Sequence, residues 1–321
     1  MEFLDLVDPE LRDIALRMRA MTESYTPLSL EKLALRRTTI AALAPPWLDG
    51  VSVEERQIAG FDDSAAVTIF IVNAKPGASG PAILHLHGGG FNAGSCRAGM
   101  CQIQELAQAL DCVVVSVEYR LAPETTFPGA LADNYAGLRW MHENAAAIGA
   151  DPARIAILGE SAGGGHAALL AIAARDRDTY PICFQALIYP MLDDRTGSTR
   201  AVPAHIGAFG WNAETNRFGW QCYLGQAPGT DEIPTAAVPA RIENLTNLPP
   251  TFIGVGTLDL FVAENIIFAN RLIEAAVPTE LVVVPGAIHG FDTLAKDSAA
   301  ARRFTSIKLA ALRRAFGLPE R

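Results

Sequence analysis

Ser161 lies between glycines in Gly159-Glu160-Ser161-Ala162-Gly163, with an apolar run at 154–158 before it and a helix-forming run at 166–171 after it. A serine at a sharp strand-to-helix turn needs neighbours without bulk, because the turn is strained and little room is left around it. Such a turn lifts Oγ above the sheet edge, where it can attack a carbonyl. The competing role for a serine here is to cap the following helix, which leaves the glycines on both sides unexplained. An attacked carbonyl needs donors aimed at its developing oxyanion, and losing one such donor costs about 2.7–4 kcal/mol of barrier. His87-Gly88-Gly89-Gly90 follows the apolar run 82–86, and its successive glycines leave backbone N–H groups uncovered. Gly89 and Gly90 are the candidate donors, with Ala162 N–H as a third.

A hydroxyl nucleophile also needs a base and a group to orient that base. His289-Gly290-Phe291 after the run 280–284 supplies the base. Thr257-Leu258-Asp259 after the run 251–255 supplies the acid, with Glu264 as its rival and Asp292 behind both. Ser, Asp, His is the chain order of the α/β-hydrolase fold.

Other polar residues read as support. His87 is expected to position the glycine loop through hydrogen bonds, Gly88 to keep that loop slim, and His166 to sit in the helix under the turn. Glu160 is expected to brace the turn by accepting bonds from backbone or a basic side chain, and Arg120 and Glu124 to stabilise the loop beside the site. His85 and His87 alternate onto one strand face, but a zinc site wants third and fourth ligands and none is in view. Neither a metal nor an organic cofactor is expected. A dinucleotide fingerprint, Gly88-x-Gly90-x-x-Ala93 with Glu118 ending the next strand, fails on position: a helix should open at the glycines, whereas helical periodicity is expected only near Cys101.

With His87-Gly88-Gly89-Gly90, Tyr119-Arg120-Leu121-Ala122-Pro123-Glu124, Gly159-Glu160-Ser161-Ala162-Gly163-Gly164 and His289-Gly290-Phe291 in order, the chain resembles the hormone-sensitive-lipase-like bacterial carboxylesterases from about Val53 onward. The resemblance implies a helical cap over the serine. Two departures stand out. That family usually has Asp in the place of Glu160, and it usually follows its acid with Pro-Leu-Arg-Asp-Glu, where this chain has Leu260-Phe261-Val262-Ala263-Glu264.

These groups need a rigid frame. From residue 82 onward apolar runs alternate with helical patterns, the signature of a parallel sheet covered on both faces. Strands are expected at 82–86, 113–118, 154–158, 183–188, 251–255 and 280–284. An antiparallel pair at 52–58 and 66–72, turning through Phe61-Asp62-Asp63-Ser64, completes a mostly parallel sheet of eight. Before it, Asp8-Pro9 starts one helix with Leu11, Ile14, Met18 and Met21 on one face, and Ser29 starts a second that stops before Pro45-Pro46. Between Tyr189-Pro190 and Asn247 the alternation lapses around one helix at 212–224. So long an insert is uncommon unless it covers a site. We therefore expect cap helices at 1–46, an α/β-hydrolase core at 47–190 and 248–321, and a cap insertion at 191–247. Trp220 and Tyr223 are expected to pack the insert down, and Phe209 and Trp211 to wall a substrate pocket.

The chain has 321 residues and a net charge of −9. That charge disfavours a nucleic acid or an anionic membrane as partner, and favours neutral or cationic small molecules as substrates. Five scattered cysteines without a Cys-x-x-Cys pair fit a reducing compartment. No secretory signal or apolar membrane span is read, so the expected location is cytoplasmic. A homodimer is possible on this fold. The expected activity is a serine carboxylesterase acting on short- to medium-chain esters. An amidase, peptidase or lactonase on the same groups, and a non-catalytic receptor on the same fold, are the alternatives.

Overall fold

Eight strands form among the described residues; the inner ones, rich in Val, Ile and Leu, are largely buried on both faces, whereas the two edge strands are mostly half-buried or exposed. The strands are β1 (Val53–Ile58), β2 (Val67–Val72), β3 (Gly80–Leu86), β4 (Val113–Glu118), β5 (Ala150–Glu160), β6 (Phe184–Ile188), β7 (Thr251–Gly256) and β8 (Thr279–Val284). The structure, a computed structural model, describes residues 2–26, 28–62 and 64–319. Met1, Pro27, Glu320, Arg321 and the expected turn residue Asp63 lie outside them. The strands form one sheet in the order β1-β2-β4-β3-β5-β6-β7-β8. β1–β2 and β2–β4 are antiparallel and the other pairs parallel. This is an α/β-hydrolase fold.

The helices are α1 (Arg12–Tyr25), α2 (Leu30–Ala42), α3 (Cys96–Leu110), α4 (Gly129–Glu143), α5 (Ala145–Ile148), α6 (Ala162–Arg177), α7 (Ala213–Leu224), α8 (Val262–Glu274), α9 (Phe291–Leu294) and α10 (Ala299–Ala315). Successive strand residues point to opposite faces, so two cores form. Leu84, Val115 and Ile157 pack with Leu138, Leu170 and Phe268 of α4, α6 and α8. Ile83, Val114 and Leu158 pack with Ile103 and Leu312 of α3 and α10, and with Leu11 ahead of α1.

Two helix starts differ from expectation. Asp8 does cap, accepting from Glu10 N at 2.9 Å, but it opens a 3-10 turn, Pro9–Leu11, that leads into α1. α3 begins at Cys96 and not near Cys101, because Ser95 accepts from Ala98 N at 3.1 Å and caps it. Gly99 sits inside α3 where an added Cβ would meet nothing within 4 Å. The small residues there thus hid a helix without breaking it. α3 still opens beyond Gly90, so the glycines do not form a helix N-terminus.

α2 is tied to the carboxyl edge of the sheet chiefly by Arg37. Arg37 donates to Asn92 O at 2.7 Å and Ala122 O at 2.8 Å, in the loops after β3 and β4, and to both oxygens of Glu124. No described helix is long and apolar enough to cross a membrane.

Candidate active site

β5 ends at Glu160, and Ser161 adopts φ 57°, ψ −120° before α6 begins. Such a conformation costs a non-glycine residue about 1–3 kcal/mol and survives only where its surroundings enforce it. Here Ser161 N donates to Ile188 O at 2.9 Å, and Ser161 O accepts from Met191 N and Gly165 N. Gly163 admits the crossing chain: a Cβ there would lie 2.0 Å from Leu86 O.

His289 Nε2 accepts from Ser161 Oγ at 2.9 Å, while His289 Nδ1 donates to Asp259 Oδ2 at 2.7 Å. Asp259 is fully buried, and its other oxygen accepts from Phe261 N at 2.9 Å. Neither rival carboxylate bonds the histidine. Glu264 Oε1 accepts from Leu192 N at 2.7 Å and Asp193 N at 3.3 Å, and Asp292 accepts from Tyr189 Oη and Lys308 Nζ.

The glycine loop reaches the elbow from β3. Among the described residues, no backbone carbonyl takes the N–H of Gly89 or Gly90, and Ala162 N–H heads α6, where no intrahelical acceptor exists. Gly90 has φ +65°, and a Cβ on it would meet Trp211 Cη2 at 2.1 Å. Trp211 therefore lies directly against the glycine loop, with its ring centroid 6.5 Å from that of His289.

Residues 83–293 match the family model for the alpha/beta hydrolase fold. Carboxylesterase NlhH of Mycobacterium tuberculosis is 32% identical over 319 residues, 96% of this chain and 96% of that protein. Esterase LipI of the same organism is 37% identical over 237 residues, covering 74% and 73%. The solved structure of a bacterial heroin esterase matches with a TM-score of 0.85 at 36% identity, covering 98% of this chain and 99% of that one. The chain belongs to the hormone-sensitive-lipase-like esterases of the alpha/beta hydrolase family. It is a carboxylic ester hydrolase.

Around its serine and histidine the esterase is braced by groups of two kinds. The imidazole of His289 is boxed by aromatic rings, Tyr189 at 4.7 Å and Phe261 at 5.2 Å, both edge-on. These contacts restrict its tilt, and Tyr189 is itself fixed by donating to Asp292 at 2.7 Å. Beneath the elbow, Glu160 accepts from His85 Nε2 at 3.0 Å, and His85 Nδ1 lies 2.8 Å from Ser116 Oγ. Burial pushes the Glu160 carboxyl up, but His85, through its charge and its hydrogen bond, with a smaller pull from Lys308, outweighs it and leaves the group below its usual range. A cavity of about 1270 Å³ opens between α3 and α10 under Glu160, and neither Ser161 nor His289 lines it.

His87 donates from Nδ1 to Gly88 O at 2.8 Å and stacks on Tyr119, whose hydroxyl donates to His87 O. Burial lowers its pKa to about 4. His166 is fully buried among Phe91, Tyr119 and Tyr223; burial lowers its pKa to about 3, with a smaller push from His87. Arg120 is engaged by Asp133 and Glu124 by Arg37. Of the two aromatics expected at a pocket wall, Trp211 is beside the site. Phe209 is 1% exposed and packs in the core cluster with Leu11 and Ala15. Trp220 and Tyr223 pack against Phe91.

Sequence reasoning passed over Tyr189, Phe261 and Asn92. Tyr189-Pro190 marked only the end of a strand, and Phe261 stood only as a departure from a family motif. No local spacing ties either to His289.

Proposed function

We propose that the esterase works through an acyl-enzyme on Ser161. His289 takes the proton from Ser161 Oγ as it attacks the ester carbonyl, and Asp259 holds the imidazole in the required tautomer and stabilises the imidazolium. The N–H groups of Gly89, Gly90 and Ala162 receive the oxyanion. His289 returns the proton to the leaving alcohol; water then attacks the acyl group with the same base and releases the acid. The observation that carries this reading is the chain Asp259–His289–Ser161, bonded at 2.7 and 2.9 Å, with Ser161 held at positive φ. We further propose acyl chains of about two to eight carbons as substrates and a cap formed by α2 with the 191–247 insert. Trp211 supports that cap, since it brings the insert onto the glycine loop. The scattered cysteines support a reducing, cytoplasmic setting.

Ser161→Ala is the direct test. It should leave the circular dichroism unchanged and lower kcat by about 10⁶, as removing the nucleophile of such a triad has done elsewhere. A folded variant retaining more than a few per cent of turnover would reassign the nucleophile.

A further inference from the structure

Five cations around the carboxyl edge of the sheet are matched by carboxylates: Arg37 by Glu124, Arg120 by Asp133, Arg241 by Asp194, and Arg195 and Arg200 by Asp193. Arg36 differs. Among the described residues no carboxylate meets it; it donates to Asn92 Oδ1 at 3.0 Å, and its Cζ lies 5.3 Å from the ring centroid of Trp211. Burial, opposed by Tyr25 and aided by repulsion from its neighbour Arg37, lowers its pKa to about 10, so it remains a cation at neutral pH.

Its position is fixed from both sides. Asn92, two residues beyond Gly90, holds Arg36 through its side chain and Arg37 through its carbonyl. The indole that Arg36 covers is the one that touches Gly90 and faces His289. The guanidinium is therefore one ring away from the glycine loop. A half-buried, pre-positioned guanidinium is suited to a planar anion that it can grip with two parallel hydrogen bonds.

We propose that Arg36 is a specificity-determining residue that binds a carboxylate carried on the non-reacting part of the ester, so that half-esters of dicarboxylic acids or esters of acidic alcohols are favoured substrates. The inference rests on the esterase mechanism above. It runs against the expectation from net charge alone, since −9 spread over the surface repels anions at a distance, while one unscreened cation acts at contact range.

Two matched pairs test it: ethyl hydrogen adipate against ethyl hexanoate for an acyl-side carboxylate, and 4-acetoxybenzoate against 4-methylphenyl acetate for an alcohol-side one. In at least one pair, Arg36→Gln should lower kcat/KM for the charged ester at least ten-fold more than for its neutral partner. The loss should lie mainly in KM, as expected when binding common to ground and transition states is removed. Arg36→Lys should recover part of it. In the wild type at high salt, which screens the distant surface charge far more than a contact pair, kcat/KM for the charged ester should exceed that for its neutral partner in at least one pair, which keeps the proposal testable should Arg36→Gln not fold. A charged-to-neutral ratio untouched by Arg36→Gln in both pairs would overturn the proposal, as would parallel losses on both esters, or a wild-type preference for the neutral ester in both pairs at high salt. Wild-type failure on all four esters would instead overturn the mechanism itself, and this inference with it.

Discussion

Asp259 and Glu264 are buried carboxylates five positions apart, yet their partners give them different work. Asp259 bonds His289 and the backbone of Phe261. Glu264 ties α8 to the chain after β6 through the N–H groups of Leu192 and Asp193. Burial, aided by repulsion from Asp193 and opposed by those bonds, drives the Glu264 carboxyl well above its ordinary range, so a neutral amide would serve it almost as well. Asp259→Asn should therefore lower kcat by about 10⁴, the size of the comparable change in a well-studied triad, while Glu264→Gln should change kcat less than about ten-fold and act chiefly on stability. Steady-state kinetics with denaturant unfolding separates the two; a larger kcat loss at Glu264 would move the acid there. Ser161, Asp259 and His289 were legible in sequence because each sits at a strand end marked by its own local pattern. Tyr189 and Phe261 were not, since their role is to pack on His289, and that contact exists only once β6, β7 and β8 lie side by side.

Most strands were legible to within a few residues, since short apolar runs bounded by turn residues leave little choice. β5 starts earlier than expected because Asp151, Pro152 and Ala153, polar or exposed, carry no apolar run ahead of Arg154. α3 was misplaced for the opposite reason: small residues at its start carry no apolar period, and only the Ser95 cap marks it. What no periodicity shows is the contact between α6, α7 and the two loops after β3 and β4, where His166 is enclosed by Phe91, Tyr119 and Tyr223. An unfolded histidine titrates near 6.5, roughly. In the folded protein His166 does so near 3, so between these values the unfolded chain binds a proton that the folded one excludes. Stability then falls as pH drops below about 6.5. Between pH 8 and pH 5 this one group should remove about 2 kcal/mol, from roughly 1.4 kcal/mol per pH unit. Denaturant unfolding of the wild type and His166→Phe at both pH values should show the variant losing that much less. Any packing change from the extra volume acts equally at both, and identical acid dependence would show that His166 is protonated in place.

Across the whole molecule, a sheet of eight strands fixes Ser161, Asp259 and His289, while α2 and the stretch carrying Trp211 are attached above it from distant parts of the chain. Arg37 is the main tie of α2, bonding two loop carbonyls and Glu124. With α2 in place, kcat/KM over an acyl series should peak between about two and eight carbons and show no activation above the solubility limit of a long ester, since nothing basic draws the acidic chain to a lipid surface. Arg37→Ala should flatten that profile; an unchanged profile would mean that α2 does not bound the acyl site. The central claim is a covalent intermediate on one serine, and it has a direct measurement. Wild-type protein mixed with excess 4-nitrophenyl butyrate, quenched in acid within the first turnovers and digested, should carry a butyryl group on the peptide containing Ser161, and Ser161→Ala should carry none there. A butyryl group on another residue that disappears at the rate of turnover, or steady hydrolysis by the wild type with no adduct at any time, would contradict the account.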